Sequence, residues 1–158
     1  MLTSKLLIFK LGNGKYACNT VCVDRIIKYE NLTYLPSTQP TLEGLYNHEG
    51  NVIKIYSLAK RLGIESDDDR THKKIIIVKN NDVLVGIVVD EVLEVFNYNK
   101  EDFDKKIDVK NSENLKGLDF KYVKDMILIN NEIVIYLSIS RIVEMELEIG
   151  RASCRERV

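Results

Sequence analysis

Short runs of apolar residues, separated by turn residues, cover most of the chain. Such a pattern is typical of β-strands joined by tight turns, because a strand buries alternate residues and a turn favours glycine or short polar residues. We expect strands in residues 6–11, 16–18, 21–29, 52–56, 74–79, 83–89, 90–96, 124–129 and 133–137. The pattern therefore predicts a mainly all-β fold.

Two local patterns in the N-terminal half add detail to this expectation. Within residues 21–29, Val21, Val23 and Ile27 share one parity, which predicts that they point inward from a strand with one buried face. Residues 44–50 begin and end with glycine, and we expect a turn there.

Helical signals are confined to two stretches, each directly after a predicted strand. Ser57 can cap a small helix over residues 58–62, and Gly63 stands where helices commonly end. Ser138 can cap a terminal helix that continues to Glu148. Because short strands dominate and long helices are absent before the end, the chain does not resemble an alternating βαβ sheet.

The two halves of the chain repeat one plan: a hairpin, a third strand, a Gly-Leu pair, a further strand and a serine-capped helix. The Gly-Leu pairs stand at residues 44–45 and 117–118, and the polar connector at residues 64–72 is the candidate boundary. The repeat predicts one domain over residues 1–150 that contains two small β-subdomains.

Composition and charge mainly exclude functions. The 158 residues include 23 Lys and Arg, 24 Asp and Glu, and 45% hydrophobic residues, which fits a folded chain rather than a disordered one. A formal net charge of -1 gives no overall attraction to nucleic acid or to an anionic membrane. No apolar run approaches the ~18 residues of a membrane-spanning helix, and the start lacks a signal-peptide pattern, so we expect a cytoplasmic protein without direct membrane insertion.

The last eight residues differ abruptly from the rest. Residues 151–158 contain three Arg and one Glu, and without them the net charge is -3. We interpret this segment as a non-native tail and leave it out of the functional argument. The three cysteines, one of them in the tail, suit a reducing compartment better than a disulfide framework.

Candidate chemistry is sparse. Cys18, Cys22 and His48 can be drawn as a thiol–imidazole pair, but a buried structural cysteine is the commoner role. Two Cys and two His outside the tail do not make up a zinc site, and the acidic run at residues 67–69 lacks the calcium-loop pattern. We therefore expect no enzyme, no cofactor and no metal, and the strand-rich pattern favours a binding module.

Several motifs, taken in chain order, resemble those of CheW-like domains, the coupling-protein family of bacterial chemotaxis. They stand at residues 23–27, 35–36, 44–52, 58–63 and 86–92. They are similar to the family segments V-x-E-I, L-P, G-L-x-N-x-R-G-x-V, L-x-x-R-L-G and G-x-V-V-D-x-V. The likeness extends over about residues 5–147.

The resemblance implies a fold, a function and a site. The fold would be two five-stranded SH3-like β-barrels that share a hydrophobic core. The function would be that of a non-enzymatic adaptor, which joins the cytoplasmic tip of chemoreceptors to the regulatory domain of the histidine kinase CheA. The receptor groove would lie between the barrels, and the motifs place its residues at Val23, Arg25, Ile26, Gly44, Asn47, Glu49, Val85, Gly86, Val92 and Val95.

The chain departs from the family pattern at two charged positions. It has Arg25 where the family usually has Glu, and Glu49 where the family usually has Arg. This double reversal predicts a direct Arg25–Glu49 ion pair and a partner surface that differs from the usual one.

Two kinds of alternative remain at this point. One is a coupling domain taken from a CheV-like or CheA-like protein. The other is a small SH3-like or oligonucleotide-fold module that binds nucleic acid. For the valines of the expected groove, the alternative is a place in the core.

Overall fold

The computed structural model describes residues 4–34, 39–65, 72–99 and 122–155, the last eight of them as backbone only. Within these ranges the chain forms ten strands, two α-helices and one 3₁₀ turn. In chain order they are β1 (Ser4–Leu11), β2 (Gly14–Asn19), the 3₁₀ turn (Thr20–Cys22), β3 (Val23–Lys28), β4 (Leu42–His48), β5 (Asn51–Ser57), α1 (Leu58–Leu62), β6 (Lys74–Asn80), β7 (Val83–Val89), β8 (Glu91–Tyr98), β9 (Val123–Ile129), β10 (Glu132–Leu137) and α2 (Ile139–Arg155).

The strands form two five-stranded sheets, in the orders β8-β1-β2-β10-β9 and β3-β6-β7-β5-β4. The first sheet takes strands from both ends of the chain, and the second takes the strands between them. The predicted boundary at residues 64–72 is therefore wrong as a division between subdomains, because that connector lies inside the segment that forms the second sheet. Parallel pairings of β10 with β2 and of β5 with β7 join strands that are distant in sequence.

Each sheet curls until its edge strands meet. In the second sheet, Thr33 pairs with Leu45 on β4 through two backbone hydrogen bonds of 2.8 Å, soon after the chain has left β3. In the first sheet, the Tyr98 hydroxyl on β8 donates to Asp125 on β9 at 2.6 Å. Each sheet thus forms a small barrel, as the expected SH3-like architecture requires.

Among the described residues, the hydrophobic core has three parts, one inside each barrel and one between them. On β6, Ile75 and Ile77 lie inside the second barrel, whereas Ile76 and Val78 lie in the core shared by both barrels. Strand β1 alternates in the same way between the first barrel and the shared core. This two-sided burial explains the continuous apolar run on β6, since neither face of the strand meets water.

The hairpin turns follow the sequence signals in most places. Asn81 and Asp82 both have positive φ, as do Asn130 and Asn131, which is the backbone of two-residue type I′ turns. The turn expected at residues 44–50 is wrong in extent, because β4 continues to His48. The turn itself consists only of Glu49 and Gly50, with φ of 50° and 87°.

Helix α1 confirms both of its predicted caps. The Ser57 hydroxyl accepts from the Lys60 N–H at 3.3 Å, and Gly63 ends α1 in the left-handed conformation with φ of 69°. Helix α2 begins after Ser138 as expected but continues to Arg155, beyond the predicted end at Glu148.

The inward orientation predicted for Val21 is wrong. Residues 20–22 form a 3₁₀ turn, and the Val21 side chain is 87% exposed. The face predicted to be shared by Val23 and Ile27 is also wrong, because a bulge after Val23 turns it toward the core between the barrels while Ile27 points into the second barrel. The expected L-P motif at 35–36, the acidic run at 67–69 and the second Gly-Leu pair at 117–118 lie outside the described residues.

Candidate functional site

Strand β3, an edge of the second sheet, directs two aliphatic side chains toward the first barrel. Val23 lies opposite Val78 and Ile26 lies opposite Ile76, and both partners belong to the shared core. Opposite residues of an antiparallel pair project from the same face. Residues three apart normally project from opposite faces, but a bulge between Val23 and Arg25 brings Val23 and Ile26 to one face.

Strand β8, an edge of the first sheet, is built in the same way. Val92 lies opposite Phe9 and Val95 opposite Leu7, and again both partners belong to the shared core. The register shift between Ile8 and Phe9 places the two valines on one face although they are three apart. Both edge strands therefore present aliphatic pairs toward the boundary between the barrels.

The exposed fraction of these side chains increases from the shared core outward, as expected for the floor and walls of a groove. Val85 on β7 is 2% exposed and forms part of the shared core, and Val23 and Val92 pack partly buried against that core. Ile26 and Val95 are 42% and 56% exposed. The 3₁₀ turn before β3 contacts β1, the strand that pairs with β8, so the start of β3 lies near the first barrel.

Three other residues expected at the groove serve the second barrel instead. A Cβ at Gly86 would collide with Ile55 and lie 2.9 Å from Ile75 Cγ2. Glycine is therefore needed here, because these isoleucine side chains already fill the interior of the barrel. A Cβ at Gly44 would lie 2.9 Å from the Thr33 carbonyl oxygen, where the barrel closes. The Asn47 side chain accepts from the Gly50 N–H at 3.0 Å and orders the β4–β5 turn.

A comparison with known proteins identifies the family. The family model of the CheW-like domain matches residues 5–147. The chain belongs to the CheW-like domain family. The expected family and two-barrel fold are confirmed, and the expected adaptor role in chemotaxis is confirmed at the level of the family.

Individual relatives cover most of the domain. Chemotaxis protein CheW of Thermotoga maritima is 29% identical over 140 residues, which is 89% of this chain and 87% of the relative. Chemotaxis protein CheW of Bacillus subtilis is 28% identical over 100 residues, 63% of this chain and 64% of the relative. The crystal structure of scaffolding protein TtCheW from Thermoanaerobacter tengcongensis superposes with a TM-score of 0.74 at 24% identity, covering 87% of this chain and 86% of that one.

The direct ion pair predicted between the two reversed charges is wrong. Arg25 Nε lies 2.8 Å from Asp24 Oδ2, and its Nη1 lies 3.4 Å from His48 Nδ1. His48 Nε2 in turn lies 4.0 Å from Glu49 Oε2. The imidazole thus separates Arg25 from Glu49. Glu49 lies in the β4–β5 turn with positive φ, and its side chain is exposed to solvent. Because Arg can only donate, this geometry requires His48 to accept at Nδ1.

A buried polar cluster, not expected from the sequence, attaches α2 to the rest of the domain. Glu146 is 1% exposed and forms an ion pair with Arg61 of α1. It also accepts from Gln39 Nε2 at 2.7 Å and from Thr41 Oγ1 at 2.6 Å. The hydrogen bond from Arg61 to Glu146 raises the pKa of Arg61, so the guanidinium stays charged.

A sequence signal for this cluster did exist. Ile139, Ile142 and Val143 form the buried face of α2, and Glu146 follows at the helical spacing of that same face. A carboxylate on an apolar helix face requires a buried partner. The Arg of the L-x-x-R-L-G motif, Arg61, is that partner.

The described residues give no support for thiol chemistry. Burial raises the pKa of the Cys18 thiol to about 12, with a further contribution from Cys22, so the thiolate is strongly disfavoured near neutral pH. Cys18 packs in the shared core as a small apolar side chain. No group of three potential metal ligands, and no helix long and apolar enough to cross a membrane, occurs in the parts of the chain that the structure describes.

Proposed function

We propose that this chain is a non-enzymatic scaffold that joins chemoreceptors to the regulatory domain of CheA, at the cytoplasmic face of a receptor array. The groove between the barrels would take the helical hairpin tip of the receptor. The observation that carries this proposal is the pair of β-bulges, which turn Val23 and Ile26 of β3 and Val92 and Val95 of β8 toward the shared core. An apolar groove of this kind suits the apolar face of a helix.

A second apolar patch supports a separate contact with the kinase. Strands β5 and β7 are parallel, and Lys54 pairs with Val85. Val52 and Val83 each come two residues earlier on their strands, so they lie side by side near the end of the second barrel. Both valines are exposed. We propose that this end of the barrel meets the regulatory domain of CheA, barrel end to barrel end. Two weak contacts on one chain gain strength when many copies assemble together.

The proposed function makes a direct prediction about partner choice. The purified chain should retain the CheA regulatory domain from the same genome and should not retain single-stranded DNA. The expected contact is apolar, so kinase binding should change little between 50 and 200 mM salt, unlike the steep loss that follows from phosphate contacts. A pull-down in parallel with both probes measures this. Retention of DNA alone, with a steep salt dependence, would replace the scaffold by a nucleic-acid binder.

A further inference from the structure

The chain crosses from the second barrel to the first through one residue. Strand β7 of the second barrel ends at Val89, and β8 of the first barrel begins at Glu91. Asp90 stands between them. Val89 is fully buried in the shared core, and Val92 is a wall of the groove.

Asp90 is bonded to both barrels at this crossing. Its Oδ2 accepts from the Gly12 N–H at 2.7 Å, and its own N–H donates to the Lys10 carbonyl at 3.0 Å, so it is tied to the first hairpin of the first barrel. Its Oδ1 lies 3.8 Å from Lys73 Nζ, directly before β6 of the second barrel. A hydrogen bond to a carboxylate is stronger than one between neutral groups, and this one is partly shielded from solvent.

The backbone is closely packed around this contact. Gly12 has φ of 56°, and a Cβ there would lie 2.6 Å from the Glu65 carbonyl oxygen. Glu65 follows α1, which in turn follows β5 of the second barrel. The turn of the first barrel therefore rests directly on the backbone of the second, and the Asp90 carboxylate holds it there.

We propose that Asp90 is a positioning residue, which sets the orientation of the two barrels and thereby the spacing of the groove walls. The walls at Val92 and Val95 belong to β8, which starts directly after Asp90. The opposite wall at Val23 and the floor at Val85 belong to the second barrel. A change at the crossing therefore moves one wall against the other. This inference rests on the proposed receptor groove.

The test compares Asp90→Ala and Asp90→Asn with Glu144→Gln, a control at an exposed carboxylate on α2 that lies in neither proposed contact. Binding of two probes is measured by calorimetry: a hairpin fragment with the cytoplasmic tip of a chemoreceptor from the same genome, and the CheA regulatory domain. Backbone residual dipolar couplings report the relative orientation of the barrels without any partner. Thermal unfolding of each variant reports its stability.

We expect Asp90→Ala to weaken receptor-tip binding roughly tenfold and to change kinase-domain binding less than about twofold, since the lost bond is charge-assisted and the kinase contact lies elsewhere. The barrel orientation should change in this variant. Asp90→Asn keeps an acceptor for the Gly12 N–H, so its loss of receptor-tip affinity should be smaller. Glu144→Gln should match the unaltered chain.

The outcomes separate the two proposals. If the unaltered chain does not bind the receptor tip, the proposed groove fails, and a changed barrel orientation in Asp90→Ala would still support the positioning role. Unchanged orientation together with unchanged receptor affinity overturns the inference. An equal loss of affinity for both partners, together with a lower unfolding temperature, also overturns the inference, because that result indicates a purely structural residue.

Discussion

Replacing Glu146 with alanine is expected to lower the free energy of unfolding by about 3–5 kcal/mol. The change leaves the Arg61 guanidinium, which is mostly buried beneath α2, without its counter-charge. It also removes the carboxylate acceptor of Thr41 and of Gln39, which keeps only its bond of 3.1 Å to the backbone carbonyl of residue 146. Breaking a buried pair by removing one partner costs more than the pair itself contributes, because an uncompensated charge stays in the interior. Urea unfolding measures the loss.

The matched control for this change is Glu144→Ala. Glu144 is an exposed carboxylate on the same helix, two residues earlier, and its removal should change stability by less than about 0.5 kcal/mol. A double variant, Arg61→Met with Glu146→Met, removes both charges and should recover part of the loss. Equal destabilisation by Glu144→Ala and Glu146→Ala would show that the buried cluster does not hold α2.

The second large effect concerns the groove. Val95→Asp should weaken binding of the receptor hairpin tip about 100-fold, because an unpaired carboxylate would have to be desolvated in an apolar contact. Val95 is 56% exposed, so the fold should tolerate the change. Binding of the CheA regulatory domain should be retained, since that contact is proposed at the end of the second barrel. Calorimetry with each partner separates the two effects.

Leu128→Asp is the control for the groove variant. Leu128 is 45% exposed, also lies on an edge strand of the first sheet, and pairs with Ile133 beside the β9–β10 turn. The strand registers place it toward the opposite end of the first barrel from Val95. The receptor tip should bind this variant within about twofold of the unaltered chain. An equal effect of both substitutions would mean that surface charge alone, and not the groove, controls binding.

The strands and turns could be predicted because each depends on nearby residues. The run from Ile75 to Val78 indicates a strand covered on both faces, and Asn81-Asp82 and Asn130-Asn131 suit the positive φ of type I′ turns. Ser57 and Gly63 mark both ends of α1 for the same reason. These signals do not depend on the rest of the fold.

The arrangement of the strands could not be read from such local signals. The pairing of β2 with β10 joins residues that are more than a hundred positions apart, and no turn motif in the sequence indicates it. The apparent repeat of two halves therefore suggested a boundary that the sheets do not follow. A strand pattern shows which face is buried, but not which strand lies beside it.

The groove depends on bulges that parity rules miss. Val23 and Ile26, like Val92 and Val95, are three apart, so strict alternation would place each pair on opposite faces. The expectation that they share a site came from the resemblance to the family, and the registers now give it a physical basis. The Arg25–Glu49 pair failed because a sequence pattern says nothing of the His48 ring between them.

The most direct test of the scaffold account is to map the receptor contact on the chain. Nitrogen-15-labelled protein is titrated with the unlabelled receptor hairpin tip, and amide chemical-shift changes are followed by NMR. If the groove binds the receptor tip, the largest changes should fall on β3 and β8, around Val23, Ile26, Val92 and Val95, and the β9–β10 turn should be unaffected. Saturable binding whose changes centre on the β9–β10 turn or on the Val52–Val83 patch, with β3 and β8 unchanged, would contradict it.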